Sequence, residues 1–324
     1  MSKAIRLIAN GGPEVMAYVD VEVGPPAEGE VQLRHTAIGL NFIDVYDRTG
    51  LYPMALPGTL GREAAGVVVA VGRKVRGFRL GDRVAYVHTA PGTYCEIRNV
   101  PASRLVKLPK HIRDEQAAAI MLKGLTAQYL LRRTYRVRRG DWILVHAAAG
   151  GVGLLLCQWA KALGARTIGV VGSDAKAVLA RKNGCQHTLL LGQGPLAERV
   201  RALTKGVGVA VVYDSVGKDT LMDSLDCLAP LGMMVTYGNA SGPPPAISPL
   251  ELSKRGSLFL TRPSLFAYIA QRKDLDAAAR ELFAVIKSKR VKVRIGQRYA
   301  LADAAQAHRD LEARKTTGST VLVP

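Results

Sequence analysis

The sequence predicts an α/β protein in two parts: a doubly wound parallel sheet in mid-chain, and a β-rich unit built from the chain's two ends. Three observations predict it. Buried-strand runs alternate with helical stretches from residue 141 to about 263. A small-residue turn, AAAGGVG (147 to 153), joins the first of those strands to the first helix. Before residue 124, β-rich stretches are punctuated by Pro25, Pro26, Pro53, Pro57 and many glycines.

The 324 residues exceed one ordinary core, in keeping with two domains. Hydrophobic residues make up 48% and charged residues 22%, a balance that fits a globular enzyme. No apolar run is long enough to span a membrane, and MSKAIRLIANGG lacks the apolar core of a signal peptide, so a cytoplasmic protein is expected. Cys95, Cys157, Cys185 and Cys227 lie far apart without a C-x-x-C pair, and are expected to be buried free thiols. The net charge of +19 fits a nucleic-acid surface, solubility, or attraction of an anionic cofactor. Its basic clusters are dispersed and aromatic content is only 6%, so nucleic-acid binding ranks last.

In mid-chain, WILVH (142 to 146) reads as the first strand and GLLLCQWAKALG (153 to 164) as the first helix. TIGVV (167 to 171) and DAKAVLARKNG (174 to 184) repeat the unit. HTLLL, PLAERVRALTKG, VAVVYDS, DTLMDSLDCLAPLG (219 to 232, read as helical), MMVTYGN, LELSKRG and SLFLTRP continue to about six strands. Against the dinucleotide pattern G-x-G-x-x-G, Ala148 replaces the first glycine while Gly150 and Gly153 keep the others. Gly150 lets backbone approach a pyrophosphate, Gly153 lets helix pack on strand, and the helix N-terminus supplies free N–H groups. The turn follows a strand, opens a helix and starts a run of βα units, which is the context that confirms such a pattern. Gly172 and Ser173 occupy the end of the second strand, where an acidic residue would hold an NAD ribose. Asp174 reads as a helix cap, and Lys176 and Arg181 follow it, which points to NADPH.

The region before residue 124 reads as an all-β unit with turns: AIRLIA, AYVDVEV, EVQLRHTAIGLN, AAGVVVAVG and RVAYV. After Pro263 come a helix (277 to 288), a strand in KVRIGQRYAL, a helix (302 to 314) and a final strand in STVLVP. This tail is too short to stand alone and is expected to complete the first unit. The expected domains are therefore 1–123, 124–263 and the return segment 264–324, with the active site in a cleft between domains.

Taken in order, LNFIDVY (40 to 46), GREAAG (61 to 66), RLGDRVAY (79 to 86), LKGLTAQY (122 to 129), HAAAGGVG (146 to 153), VYDSVG (212 to 217), TYGNASG (236 to 242) and TRPSL (261 to 265) form a specific set. Across essentially the whole chain the sequence resembles the quinone oxidoreductase branch of the medium-chain dehydrogenase/reductase superfamily, the zeta-crystallin-like group. The resemblance implies a GroES-like catalytic domain beside a Rossmann domain. It also implies NADPH-dependent reduction of quinones, and a homodimer paired through the strand at 257 to 260.

The resemblance also implies roles. Asn41 lies by nicotinamide and substrate, and Tyr46 and Tyr52 line the quinone pocket. Lys123, Thr126 and Tyr129 flank the nicotinamide. Gly150, Gly151, Val152 and Gly153 form the pyrophosphate turn, and Gly172, Ser173 and Lys176 take the 2′-phosphate end. Ser215, Tyr237, Gly238 and Asn239 close over the cofactor, and Arg314 reaches in from the tail. Where the family often has a tyrosine near the adenosine phosphate, this chain has Leu191.

In the zinc-dependent branch a cysteine ligand stands where this chain has Asn41, and a histidine ligand where it has Arg62. Arginine has no lone pair to offer and stays protonated, and an amide oxygen replaces thiolate poorly. The four-cysteine structural loop is missing too, and the histidines lack ligand spacing, so no metal is expected. Arg62 is expected to pair with Glu63 or Asp44, or else to point to solvent. Asn41 reads as a hydrogen-bond donor in the site. His146 reads as a packed or hydrogen-bonded end of the first mid-chain strand. Without zinc, an electron-poor quinone is the fitting acceptor, needing orientation and one hydrogen bond at its oxygen. Either a tyrosine or solvent supplies the proton. An NADPH-dependent alkenal or enone reductase is the alternative.

Overall fold

Extended, β-branched stretches at the N-terminal end form β1 (Ser2–Leu7), β2 (Ala17–Val21) and β3 (Glu30–Leu40). The structure, a computed structural model, describes residues 1–324. β3 alternates at first, then runs buried on both faces over its last four residues. It leads directly into α1 (Phe42–Thr49). β4 (Gly58–Thr59), β5 (Glu63–Val71), β6 (Arg83–Val87), β7 (Ile97–Pro101) and β8 (Val106–Lys107) follow, then α2 (Asp114–Ala118) and α3 (Met121–Tyr129).

The all-β expectation for this region is corrected by α1. Phe42, Ile43, Val45 and Tyr46 are good strand formers, which hid the helix. Its signals are at the ends. The Asp44 carboxylate accepts the N–H of Asn41 at 2.9 Å, and Gly50 closes the helix in the left-handed region with φ of 80°.

The second part is a run of βα units. It comprises β9 (Trp142–His146), α4 (Gly151–Ala162), β10 (Arg166–Val171), α5 (Asp174–Lys182), β11 (His187–Leu190) and α6 (Leu196–Leu203). β12 (Val209–Asp214), α7 (Leu221–Asp226), β13 (Leu228–Thr236), α8 (Pro249–Lys254) and β14 (Phe259–Thr261) complete it. The six strands are parallel throughout, in the order β11-β10-β9-β12-β13-β14. This is the doubly wound order, reversing between β9 and β12. Leu144, Ile168, Val170, Val200, Val212, Leu225 and Met234 form its apolar core.

Several boundaries differ from the sequence reading. α4 starts at Gly151, two residues before the expected 153. The helix expected over 219 to 232 ends at Asp226, and Leu228 already belongs to β13. Pro230 cannot continue a helix, and the ladder to β12 absorbs it through a register shift. The cap of α5 is Ser173, whose hydroxyl accepts the Lys176 N–H, with Asp174 as the first helical residue.

The last segment gives α9 (Leu265–Tyr268), α10 (Arg272–Lys287), β15 (Ile295–Ala300), α11 (Ala304–Glu312) and β16 (Ser319–Val323). β16 pairs antiparallel with β3, which adds β15 and β16 to a sheet running β15-β16-β3-β5-β6-β8, with β7 also on β3. Leu301, Ala304, Ala307 and Leu322 join Ile5, Leu33, Ile38, Tyr86 and Tyr94 in one core. By spatial clustering the first unit is Met1–Leu125, Tyr268–Lys287 and Val293–Pro324, and the second is Thr126–Ala267 with Ser288–Lys292.

Candidate active site

β3 ends at Leu40, so Asn41 stands where a buried strand turns into a buried helix start. Its amide NH2 donates to Glu63 Oε1 at 2.9 Å and to the Gly39 carbonyl at 3.4 Å. Glu63, the first residue of β5, is fully buried. The same Oε1 accepts Lys123 Nζ at 3.1 Å, and Oε2 accepts the Leu122 N–H at 2.6 Å. Lys123 also donates to the Leu40 carbonyl at 3.0 Å. Thus Lys123 is committed to protein acceptors, and the Asn41 amide spends its hydrogens inside the protein. Asn41 is thus a hydrogen-bond donor, and its acceptors are groups of the protein.

Arg62 is buried, 7% exposed, so it does not point to solvent. Its partner is neither Glu63 nor Asp44. It grips Asp47 on α1 with two bonds, Nε to Oδ2 at 2.7 Å and Nη2 to Oδ1 at 2.6 Å, and also donates to the Thr89 carbonyl. Asp47 lies about one helical turn beyond Asp44 on α1. The fork matches a carboxylate in a way lysine could not.

Asp44 is fully buried, and burial pushes its carboxyl up to about 7, helped by the Asp47 charge and opposed by the Asn41 N–H, Tyr94 and Arg62. A chain of bonds runs from it. Tyr94 Oη donates to Asp44 Oδ2 at 3.0 Å and lies 3.1 Å from His308 Nε2. Arg48 donates to His308 Nδ1 at 3.0 Å and to Glu312 at 2.8 Å. Arginine is only a donor, so His308 accepts at Nδ1 and carries its hydrogen on Nε2, which donates to Tyr94. Burial, with the Arg48 charge, holds His308 down to about 3, so it is neutral. α1 is thereby clamped to β5 by Arg62 and to α11 by Arg48.

Tyr46 is buried on α1, and Tyr52 is half-buried just after it. Their rings meet edge to face at 5.3 Å, and the Tyr52 N–H donates to the Tyr46 carbonyl at 3.0 Å. The two tyrosines are therefore packed together at the end of α1.

In the second unit the candidate cofactor residues gather at the carboxyl end of the sheet. Gly150 to Gly153 follow β9, Gly172 and Ser173 follow β10, Ser215 follows β12, and Tyr237 to Asn239 follow β13. The first intrahelical bond of α4 is Leu154 N–H to Gly150 carbonyl at 2.9 Å, so the N–H groups of Gly151, Val152 and Gly153 precede it. A Cβ on Gly153 would come within 2.3 Å of the Ala147 carbonyl oxygen, so only glycine packs α4 this closely. Around Gly172 the space is open, with nothing within 4 Å of a Cβ. These features fit a dinucleotide: N–H groups for a pyrophosphate, and room rather than a carboxylate beside the ribose. Lys176 is half-buried on α5 and Leu191 is exposed after β11, while Arg181 donates to Thr188 at 2.5 Å. Thr126 and Tyr129 are buried on α3. Arg314 is exposed after α11.

Sequence reasoning passed over Glu63, Asp47, Asp214 and Arg262 as functional residues. Buried Asp214 accepts the N–H groups of Val216 and Gly217 and the hydroxyls of Thr220 and Ser224, which shapes the loop after β12. His146 bonds Ser224 at 2.9 Å, as a hydrogen-bonded strand end. Arg262 holds the loop after β13 through Thr236, the Gly238 carbonyl and Asn239 Oδ1. Asp214 and Arg262 sit in the motifs VYDSVG and TRPSL, and a charge inside an apolar motif was their available signal.

No group of three or more His, Cys, Asp or Glu side chains is placed to hold a metal ion. The positions of the zinc ligands are filled by an amide bonded to Glu63 and a guanidinium bonded to Asp47. This donor set does not fit zinc.

A β-rich unit closed by its own return segment, together with a six-stranded doubly wound sheet carrying a dinucleotide turn, defines a medium-chain dehydrogenase/reductase. Residues 27–110 match the alcohol dehydrogenase GroES-like domain, and 151–284 match the zinc-binding dehydrogenase family. A quinone oxidoreductase of Pseudomonas aeruginosa is 54% identical, with both chains covered in full. The structure of Escherichia coli quinone oxidoreductase complexed with NADPH superposes with a TM-score of 0.97 at 48% identity, over 99% of this chain and 100% of that one. A 2-haloacrylate reductase of Burkholderia is 46% identical over 100% of this chain and 99% of its own. The chain belongs to the quinone oxidoreductase family of that superfamily.

Arg62→Ala strands Asp47 in the interior and is expected to cost about 3–5 kcal/mol, with Arg62→Ala/Asp47→Ala costing less than Arg62→Ala alone. Urea unfolding of the two variants checks the order. For His308, the folded value lies below the ordinary 6.5, so the unfolded chain binds the extra proton and stability falls as pH drops from 6.5 toward 3. His35, held at about 4 by burial, adds to this, while Asp44 opposes it over the range below about 7. His308→Gln can keep both bonds without titrating. Relative to wild type it should gain about 1.4 kcal/mol per pH unit below 6.5 in urea unfolding, whereas parallel curves would contradict a neutral His308.

Proposed function

We propose that this protein is an NADPH-dependent quinone reductase that works without a catalytic metal. The observation that carries the reading is the buried Arg62–Asp47 pair at the position of a zinc ligand. It leaves no Lewis acid to polarise a carbonyl or hold an alkoxide, so a simple alcohol is a poor substrate and an electron-poor acceptor is a fitting one. The names of the close relatives support the same acceptor class, and NADPH in the Escherichia coli structure supports the cofactor.

When bound, the nicotinamide supplies the reducing equivalents. The chain's own groups bind, orient and hydrogen-bond. The N–H groups at the start of α4 take the pyrophosphate. Gly172, Ser173 and Lys176 accommodate the 2′-phosphate, with Leu191 as an apolar wall nearby. Ser215, Tyr237, Gly238 and Asn239 border the cofactor, Thr126 and Tyr129 stand beside the nicotinamide, and Arg314 is a further contact. Asn41 offers its amide oxygen to a ligand N–H or O–H. Tyr52, half-buried and backed by Tyr46, faces the quinone and donates to its oxygen.

A second reading has its own support. The Burkholderia relative is named for reducing a haloacrylate, an activated C=C bond, so enal reduction shares this site's requirements.

One assay separates them. Loss of nicotinamide absorbance is followed with a benzoquinone, a naphthoquinone and a 2-enal, using NADPH and then NADH. Turnover of quinones with NADPH is expected. Turnover of the enal alone sinks the first reading, and equal use of NADH sinks the argument from Gly172 and Lys176.

The protein is further proposed to be a homodimer paired through β14. This strand ends the sheet with one edge open, and Phe259 and Leu260 on it are 55% and 38% exposed. The four buried free cysteines suit a reducing compartment such as the cytoplasm. Sedimentation should give a dimer for the wild type and a monomer for Phe259→Arg.

A further inference from the structure

Glu63 gathers donors and nothing else. Its two oxygens receive the Asn41 amide, the Lys123 ammonium and the Leu122 N–H, all within 3.1 Å. The carboxylate is fully buried, and Asn41 and Lys123 are 5% and 6% exposed. Only a carboxylate can serve all three, because it is acceptor at both atoms. An Asn side chain has two orientations related by a half-turn, and they present opposite hydrogen-bonding character to a ligand. Glu63 decides between them. With the NH2 turned toward Glu63 and the Gly39 carbonyl, the half-turned state would bring amide oxygen against carboxylate oxygen.

We infer that Glu63 is a positioning residue, which locks the Asn41 amide so that its oxygen, never its NH2, meets the bound cofactor or substrate. Lys123 is the counter-charge beside Glu63 in the interior. Charge and polarity are thus set three residues deep: ammonium, carboxylate, amide. The ligand group recognised is a donor, either the carboxamide N–H of a nicotinamide or a hydroxyl. The inference rests on the proposal that Asn41 touches a ligand.

A polarity swap tests it. In Asn41→Asp two carboxylates face each other across the 2.9 Å contact, and kcat is expected to fall by about 100-fold. In Glu63→Gln one buried donor always meets the new NH2, with an expected loss of about 10-fold in kcat. In Asn41→Asp/Glu63→Gln the glutamine donates to the aspartate, Lys123 pairs with the aspartate, and the net charge of the trio is unchanged. An acceptor oxygen again faces the ligand. The double variant is therefore expected to recover kcat to within about 5-fold of wild type, a strong positive coupling. Steady-state kinetics with NADPH and a benzoquinone give kcat and KM, and fluorescence titration gives NADPH affinity. Near-native melting temperatures identify the variants that can be compared.

A double variant no faster than the slower single overturns the inference. So does a Glu63→Gln enzyme with wild-type kinetics. Asn41→Ala separates the two levels. If it keeps wild-type kcat and KM, Asn41 does not meet the ligand and the underlying reading fails. If it is slow while the singles combine additively, only the orientation by Glu63 fails. A merely structural role for Glu63 predicts loss of stability in the double variant, without recovery of turnover.

Discussion

Charge burial is the constraint around which the candidate site is organised. Asp44, Asp47, Glu63 and Asp214 are each fully buried. A lone carboxylate in such surroundings costs several kcal/mol, so each needs donors or a cation. Arg62 answers Asp47, Lys123 answers Glu63, and backbone N–H groups with hydroxyls answer Asp214. Asp44 has no cation in direct contact, and burial, with the Asp47 charge, pushes its carboxyl up to about 7. The segments these groups join are the ones that carry the candidate ligand contacts: the start of α1 and the loops after β12 and β13.

This arrangement explains how a scaffold shared with zinc enzymes serves a different acceptor. Zinc would have brought positive charge to the start of β5 and fixed the groups around it. Here a guanidinium and an ammonium bring the charge, and directional hydrogen bonds fix the groups. Arginine binds a side chain of the protein instead of a substrate oxygen, so the charge is spent on structure. The first unit also holds two tyrosines in edge-to-face contact, and the second holds the free N–H groups at the start of α4. Such a site suits an acceptor that is electron-poor in itself.

Much of the fold was legible because it rests on local periodicity. Strand runs buried on both faces and helices with glycine stops follow from neighbours in sequence, and the six-strand order follows from the βα alternation. The Gly150 and Gly153 spacing was legible for the same reason: close approach at one turn demands a missing side chain. α1 was not, since Phe42, Ile43, Val45 and Tyr46 favour a strand locally. The helix instead depends on the Asp44 cap, Gly50 and the clamps from Arg62 and Arg48. Nor could the extent of β13 be read, because Pro230 is tolerated there through the ladder to β12.

The candidate site divides in the same way. By itself the sequence determined that positions 41 and 62 hold groups unable to ligate zinc, since donor chemistry belongs to the residue type. It also determined that a glycine turn opens α4. Only the tertiary structure decided that Arg62 meets Asp47 instead of its neighbour Glu63, and that Asn41 turns its NH2 inward. Arg62 lies in the bend just before β5 and Glu63 is its first residue, and the two side chains take different partners, Asp47 and Lys123. Which carboxylate reaches which cation depends on how α1, β5 and α3 pack, and no residue type carries that information.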